Sequence, residues 1–165
     1  MLRRLLTVVI AGGLLVSMPG AAQAATWTWN SRSAPLSVYS NGASGTRLGQ
    51  GHGSMTITFR LGTGYSHVDF TGRGYLRDSR PGNNSIYWEN WFQVLDPGAN
   101  DFLPAKKVQS TRWNGSSWRL FQKSTTLTLL DKIRRRAQLY RKVCEDRRLA
   151  SDPCHGGWRN GEIQF

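Results

Sequence analysis

His67 and Asp69 stand two positions apart, so an extended strand turns both side chains to one face, about 6–7 Å from each other. An imidazole beside a carboxylate is a pairing that moves a proton or begins a metal site. Arg73 shares their parity, and Glu89 supplies a second carboxylate farther along. A base, an acid and a cation around a phosphate are what a small secreted ribonuclease-like hydrolase needs. His67, Asp69, Glu89 and Arg73 are therefore the candidate catalytic residues. The alternative is a solvated polar strand face, and residue types alone favour it. No G-x-S-x-G, H-E-x-x-H, phosphate-loop or dinucleotide pattern occurs. Nothing in the local sequence ties His52 to His67 as a further ligand, so neither a metal nor an organic cofactor is expected.

Charge suggests a different chemistry. The chain carries 22 Lys and Arg against 10 Asp and Glu, an excess that draws a protein toward anionic polymers. The excess is densest from Lys132 to Arg148, with eight basic residues against Glu145 and Asp146. A strand there sets Arg134 and Arg136 on one face with Lys142, and Arg135 and Arg141 on the other. Arg134, Arg135, Arg136, Arg141 and Lys142 are thus the expected polyanion contacts. Charge that keeps an edge strand from aggregating is the competing explanation. Aromatic rings add stacking surfaces for sugars or bases. Of the seven tryptophans, Trp91, Trp113 and Trp118 are the expected exposed ones.

The elements that must position these residues show period-two patterning, the mark of half-buried strands. Met55, Ile57 and Phe59 alternate with Thr56, Thr58 and Arg60. Val68, Phe70 and Leu76 lie on one parity, with His67, Asp69, Thr71, Arg73, Tyr75 and Arg77 on the other. Ile86, Trp88, Phe92 and Val94 oppose Tyr87, Glu89, Trp91, Gln93 and Leu95, a strand apolar on both sides and so central. Turn formers separate the runs. The glycine-rich stretch 41–54 is expected as a loop or an irregular edge strand. Asn114-Gly115, flanked by Trp113 and Trp118, predicts a hairpin. Residues 131–148 fit a helix through Ile133, Ala137, Tyr140 and Cys144, or a strand. The strand is preferred, because basic residues would crowd the positive end of such a helix.

The amino terminus is expected to be an export signal. Arg3 and Arg4 precede an apolar run from Leu5 to Val16, and Ala22-Gln23-Ala24 closes it as a cleavage site. The run is too short to span about 30 Å of hydrocarbon, so no transmembrane anchor is expected in the mature chain. An oxidising compartment makes Cys144 and Cys154, ten positions apart, a disulfide. Asp146–Pro153 then forms a stapled hairpin loop, with Trp158 to Phe165 returning.

The expectation is a signal over 1–24 and one secreted all-β domain over 25–165, an antiparallel sandwich or barrel-like fold with a carboxy-terminal disulfide-stapled hairpin. The favoured function is a non-enzymatic basic module that binds an anionic cell-wall or extracellular polymer, or another secreted protein. A small hydrolase and a toxin or inhibitor acting through 41–54 are the alternatives.

Overall fold

The computed structural model describes residues 23–41, 43–61, 66–82, 84–96, 101–102, 106–129, 137–147 and 150–159. Residues 1–22 of the expected signal lie outside these, as do Arg134, Arg135 and Arg136. The described residues contain ten strands and no helix: β1 (Gln23–Trp29), β2 (Leu36–Tyr39), β3 (Arg47–Leu61), β4 (Ser66–Asp78), β5 (Ser85–Asp96), β6 (Asp101–Phe102), β7 (Lys106–Gln109), β8 (Arg119–Leu129), β9 (Ala137–Asp146) and β10 (Cys154–Arg159). They form two antiparallel sheets. The first runs β1-β3-β4-β8 with β2 also on β3, and the second runs β10-β9-β5-β6 with β7 also on β5. Neither sheet closes on itself among the described residues.

The alternating apolar positions meet between the sheets. Met55, Ile57, Val68, Phe70 and Leu76 from the first pack in one cluster with Ile86, Trp88, Phe92, Val94, Leu139 and Val143 from the second. The Phe70 and Phe92 rings stack across the boundary, centroids 4.5 Å apart. β5 is central as its two-sided apolar pattern requires, paired by β9 on one edge and by β6 and β7 on the other.

The glycine-rich stretch departs from expectation. Residues 47–54 are neither loop nor edge; they pair with β2 and β1 on one side and with β4 on the other. Glycine weakens a strand when nothing fills the space of its missing side chain. Here the opposite sheet fills it. A β-carbon on Gly49 would lie 2.5 Å from Ile86, and one on Gly51 2.8 Å from Val143. In β4, Gly72 and Gly74 make the same room for the Trp88 indole, and Gly74 also for Trp29. Large side chains and glycines interlock between the sheets.

The expected Asn114-Gly115 hairpin is also absent. Trp113 exchanges two 2.8 Å backbone bonds with Ile86, while the Gly115 carbonyl accepts from Asp78 N and Asn114 Oδ1 from Gly82 N. Those partners lie far off in sequence, so the segment crosses from β7 of one sheet to β8 of the other. Long-range bonds override the local turn preference.

The disulfide forms, and β9 is a strand. Cys144 and Cys154 are directly opposed in the β9–β10 register, Cα atoms 4.2 Å apart. The returning strand begins at Cys154, four residues before the expected Trp158, because the bridge itself starts the pairing. Tyr87 donates to Asp152 Oδ2 at 2.7 Å, and Arg147 N donates to Oδ1 at 2.8 Å, which fastens the intervening loop to β5. Removing the bridge by Cys144→Ala with Cys154→Ala frees a short loop in the unfolded chain. The expected cost is about 2.7 kcal/mol of unfolding free energy, read from urea unfolding with the m-value fitted for each form, since the freed loop lets the unfolded chain expand.

Candidate functional site

The four candidate catalytic residues do not converge. His67, Asp69 and Arg73 share the outer face of the first sheet, while Glu89 belongs to the outer face of the second, with the core between them. Asp69 receives Arg60 on both oxygens, at 2.6 and 3.0 Å, and Thr126 at 2.7 Å. The Arg60 bond, then the Thr126 bond, hold its pKa below the usual carboxylate value. His67 Nδ1 lies 3.2 Å from the Thr128 hydroxyl. Burial pushes Glu89 upward, but bonds from Lys142 and Trp91 outweigh it and leave the carboxyl lowered. With Lys142 at 2.8 Å and Lys107 at 3.4 Å, Glu89 is a neutralised anion that fastens β7 and β9 to β5. An acid catalyst needs the opposite shift. Among the described residues, no three His, Cys, Asp or Glu side chains converge as metal ligands.

The expected binding residues that fall among the described ones are dispersed too. Arg141 and Lys142 point to opposite faces of β9, as parity requires. Arg141 Nη2 reaches Asn30 Oδ1 at 3.4 Å, and Lys142 is held by Glu89. Trp91 is half-buried, its indole N–H on Glu89 and its ring under Lys107. Trp113 is half-buried as well: Arg119 lies 4.6 Å over its ring, and its N–H donates to Ser117 O at 3.0 Å. Those contacts support the segment that carries Trp118, which is half-buried too and lines a cleft.

That cleft, of about 690 Å³, is lined by Arg32, His52, Tyr75, Arg77, Ser116, Ser117 and Trp118. It lies across one end of the outer face of the first sheet. Sequence parity already turned Tyr75 and Arg77 to this face. His52 and Tyr75 are register partners on β3 and β4, and their rings stack at 5.0 Å and 16°. Trp118, just before β8, meets His52 edge-on at 4.9 Å and 68°.

Arg32 arrives by a break in the edge strand. β1 ends opposite Gly53 and β2 begins opposite Gly51, so both lie along one edge of β3 with residues 30–35 looped out between them. Asn30 takes φ 54°, a left-handed conformation in which asparagine is enriched. Its amide donates to Ala34 O at 3.1 Å, and Ser31 Oγ accepts from Ala34 N at 3.1 Å. A small, internally bonded loop thus lifts Arg32 beside His52.

None of the lining residues is acidic. His52 Nε2 is buried with no hydrogen-bond partner among the described residues. Burial, then the charge of Arg32, lower the His52 pKa below its ordinary 6.5. At neutral pH the ring is therefore uncharged between two guanidinium-bearing neighbours. What the cleft can do is hold an anion against aromatic surface.

A pH dependence follows with a definite sign. The folded-state pKa of His52 lies below that of the unfolded chain, so its contribution to stability is complete above pH 6.5 and is lost as pH falls through the lowered value. A bound anion favours the protonated ring. Affinity for an anionic ligand therefore rises from pH 7.5 to 5.5, while the ligand-free protein loses stability over the same interval. Titrations at both pH values check this, and His52→Gln removes the difference.

Sequence reasoning placed Tyr75, Arg77 and Trp118 on usable faces but missed the cleft, and gave Arg32, Ser116 and Ser117 no role. His52 sits eight residues along the sheet from His67, about 26 Å at strand rise, so the two histidines never formed one site. No protein-family model matches this chain, and no curated protein matches it either.

Proposed function

We propose that this chain is a secreted, non-catalytic β-sandwich module that binds an anionic polymer outside the cell through the cleft between Arg32 and Trp118. One observation carries the reading: two arginines and three rings converge at a cleft with no acidic lining residue. Guanidinium groups take carboxylate or phosphate in paired hydrogen bonds, and rings supply apolar area. Export rests on the signal expected over 1–24. Two observations are compatible with it: the Cys144–Cys154 bridge, a bond that persists in oxidising compartments, and the lack of any helix long and apolar enough to cross a membrane among the described residues. A hydrolytic reading draws no support from Asp69 and Glu89, whose oxygens are committed to cations.

Retention on an anionic matrix across a salt series tests the proposal. The logarithm of affinity falls linearly with that of salt, and each lost cation contact lowers the slope by about one. Arg32→Ala with Arg77→Ala lowers it by about two. Retention that salt leaves unchanged overturns the reading.

A further inference from the structure

We infer that the polymer is an acidic polysaccharide, and that the cleft takes one carboxylate-bearing sugar ring. This rests on the anionic-polymer reading above and names its ligand. Three observations separate a sugar from a nucleic acid.

The first is charge density. Beyond Arg32 and Arg77, the outer face of the first sheet offers Arg73, while Arg60 is paired with Asp69. Arg73 and Arg77 lie four residues apart on β4, about 13 Å at strand rise. A nucleic-acid strand carries a charge about every 3.4 Å, and its binders neutralise many phosphates. Arginines this sparse suit a chain whose charges are spaced by whole sugar rings.

The second is the aromatic arrangement. Proteins that grip single strands offer successive stacking platforms, one per base. Here the His52, Tyr75 and Trp118 rings pack on one another, which makes one aromatic cluster. One cluster suits one ring of the ligand, with the apolar C–H face of a sugar against it.

The third is the surface that leads away from the cleft. The register places Thr26, Thr28, Ser54, Thr56, Thr58, Thr71, Ser124, Thr126 and Thr128 on the same outer face. Thr26 with Thr56 and Thr71 with Ser124 share hydrogen bonds of 2.9 Å. A hydroxyl both donates and accepts, so this surface exchanges hydrogen bonds with the hydroxyls of successive sugars. Within the cleft, Arg77 with Arg32 meets the carboxylate.

Calorimetric titration of the folded, disulfide-bonded protein decides the matter, with four probes: trigalacturonate, a hyaluronan hexasaccharide, the methyl ester of trigalacturonate and a thymidylate hexamer. At least one acidic oligosaccharide is expected to bind ten times or more tighter than both the neutral ester and the thymidylate. Trp118→Ala and Arg77→Ala each reduce that affinity tenfold or more, and Arg77→Lys restores part of it. Near-unchanged circular dichroism of the Arg77 variants shows that folding is not the cause. Thymidylate binding tightest, and weakened by the same variants, overturns the sugar assignment and leaves the anionic-polymer reading standing. Binding of any probe that ignores Arg77→Ala and Arg32→Ala overturns both.

Discussion

Gly53→Ala lowers the unfolding free energy by about 3–5 kcal/mol, a large part of the 5–15 kcal/mol that holds a typical domain together. The added β-carbon would sit 2.1 Å from the Arg73 carbonyl oxygen and 2.6 Å from Gly74 Cα. Both atoms are backbone of the neighbouring paired strand, so no flexible side chain can move aside. Overpacking that side chains absorb costs about 1–3 kcal/mol; backbone displacement costs more. Gly49→Ala meets the Ile86 side chain rather than backbone and is expected to be milder. Gly157→Ala meets nothing within 4 Å and serves as the neutral control. Urea unfolding of the three variants gives the order. Equal costs at Gly53 and Gly157 would contradict it. The effect reaches the cleft, because Gly53 and Gly74 each adjoin one member of the stacked His52–Tyr75 pair.

The second large effect is on binding alone. Arg32→Ala combined with Arg77→Ala weakens the anionic ligand by about a hundredfold, from two charged hydrogen-bonding partners worth about 1.5 kcal/mol each. Both side chains are exposed, so stability stays within about 0.5 kcal/mol. Arg60→Ala removes a cation from the same face, but one already neutralised by Asp69, and leaves affinity nearly unchanged. A loss shared equally by all three arginines would mean diffuse attraction to a basic surface rather than a site.

Much of the fold is legible as alternation. Met55 to Phe59, Val68 to Leu76 and Ile86 to Val94 face the core as their parity demands, and the cysteine spacing gave the bridge. What escaped has physical causes. Gly49 and Gly51 give no apolar signal because their packing partners, Ile86 and Val143, belong to the other sheet, and Gly53 gives none because β4 backbone lies against it. Asn114-Gly115 signals a local turn, yet Asp78 and Gly82 claim its polar groups from afar. The cleft was half-visible: Tyr75 and Arg77 stood on the polar face of β4. Their meeting with Arg32 and Trp118 depends on a strand break and a crossing between sheets, and no local pattern encodes either. The densest basic run, Arg134 to Arg136, drew attention by composition alone and lies outside the described residues.

Whether the cleft is the place where an anionic polymer binds is tested most directly by amide and indole chemical shifts of the nitrogen-15-labelled protein during titration with an acidic oligosaccharide. The account predicts shifts at Arg32, His52, Tyr75, Arg77 and Trp118, fading along the threonine-rich face of β3, β4 and β8. Shifts confined to β9 and the surroundings of Trp91, with the cleft silent, would contradict it.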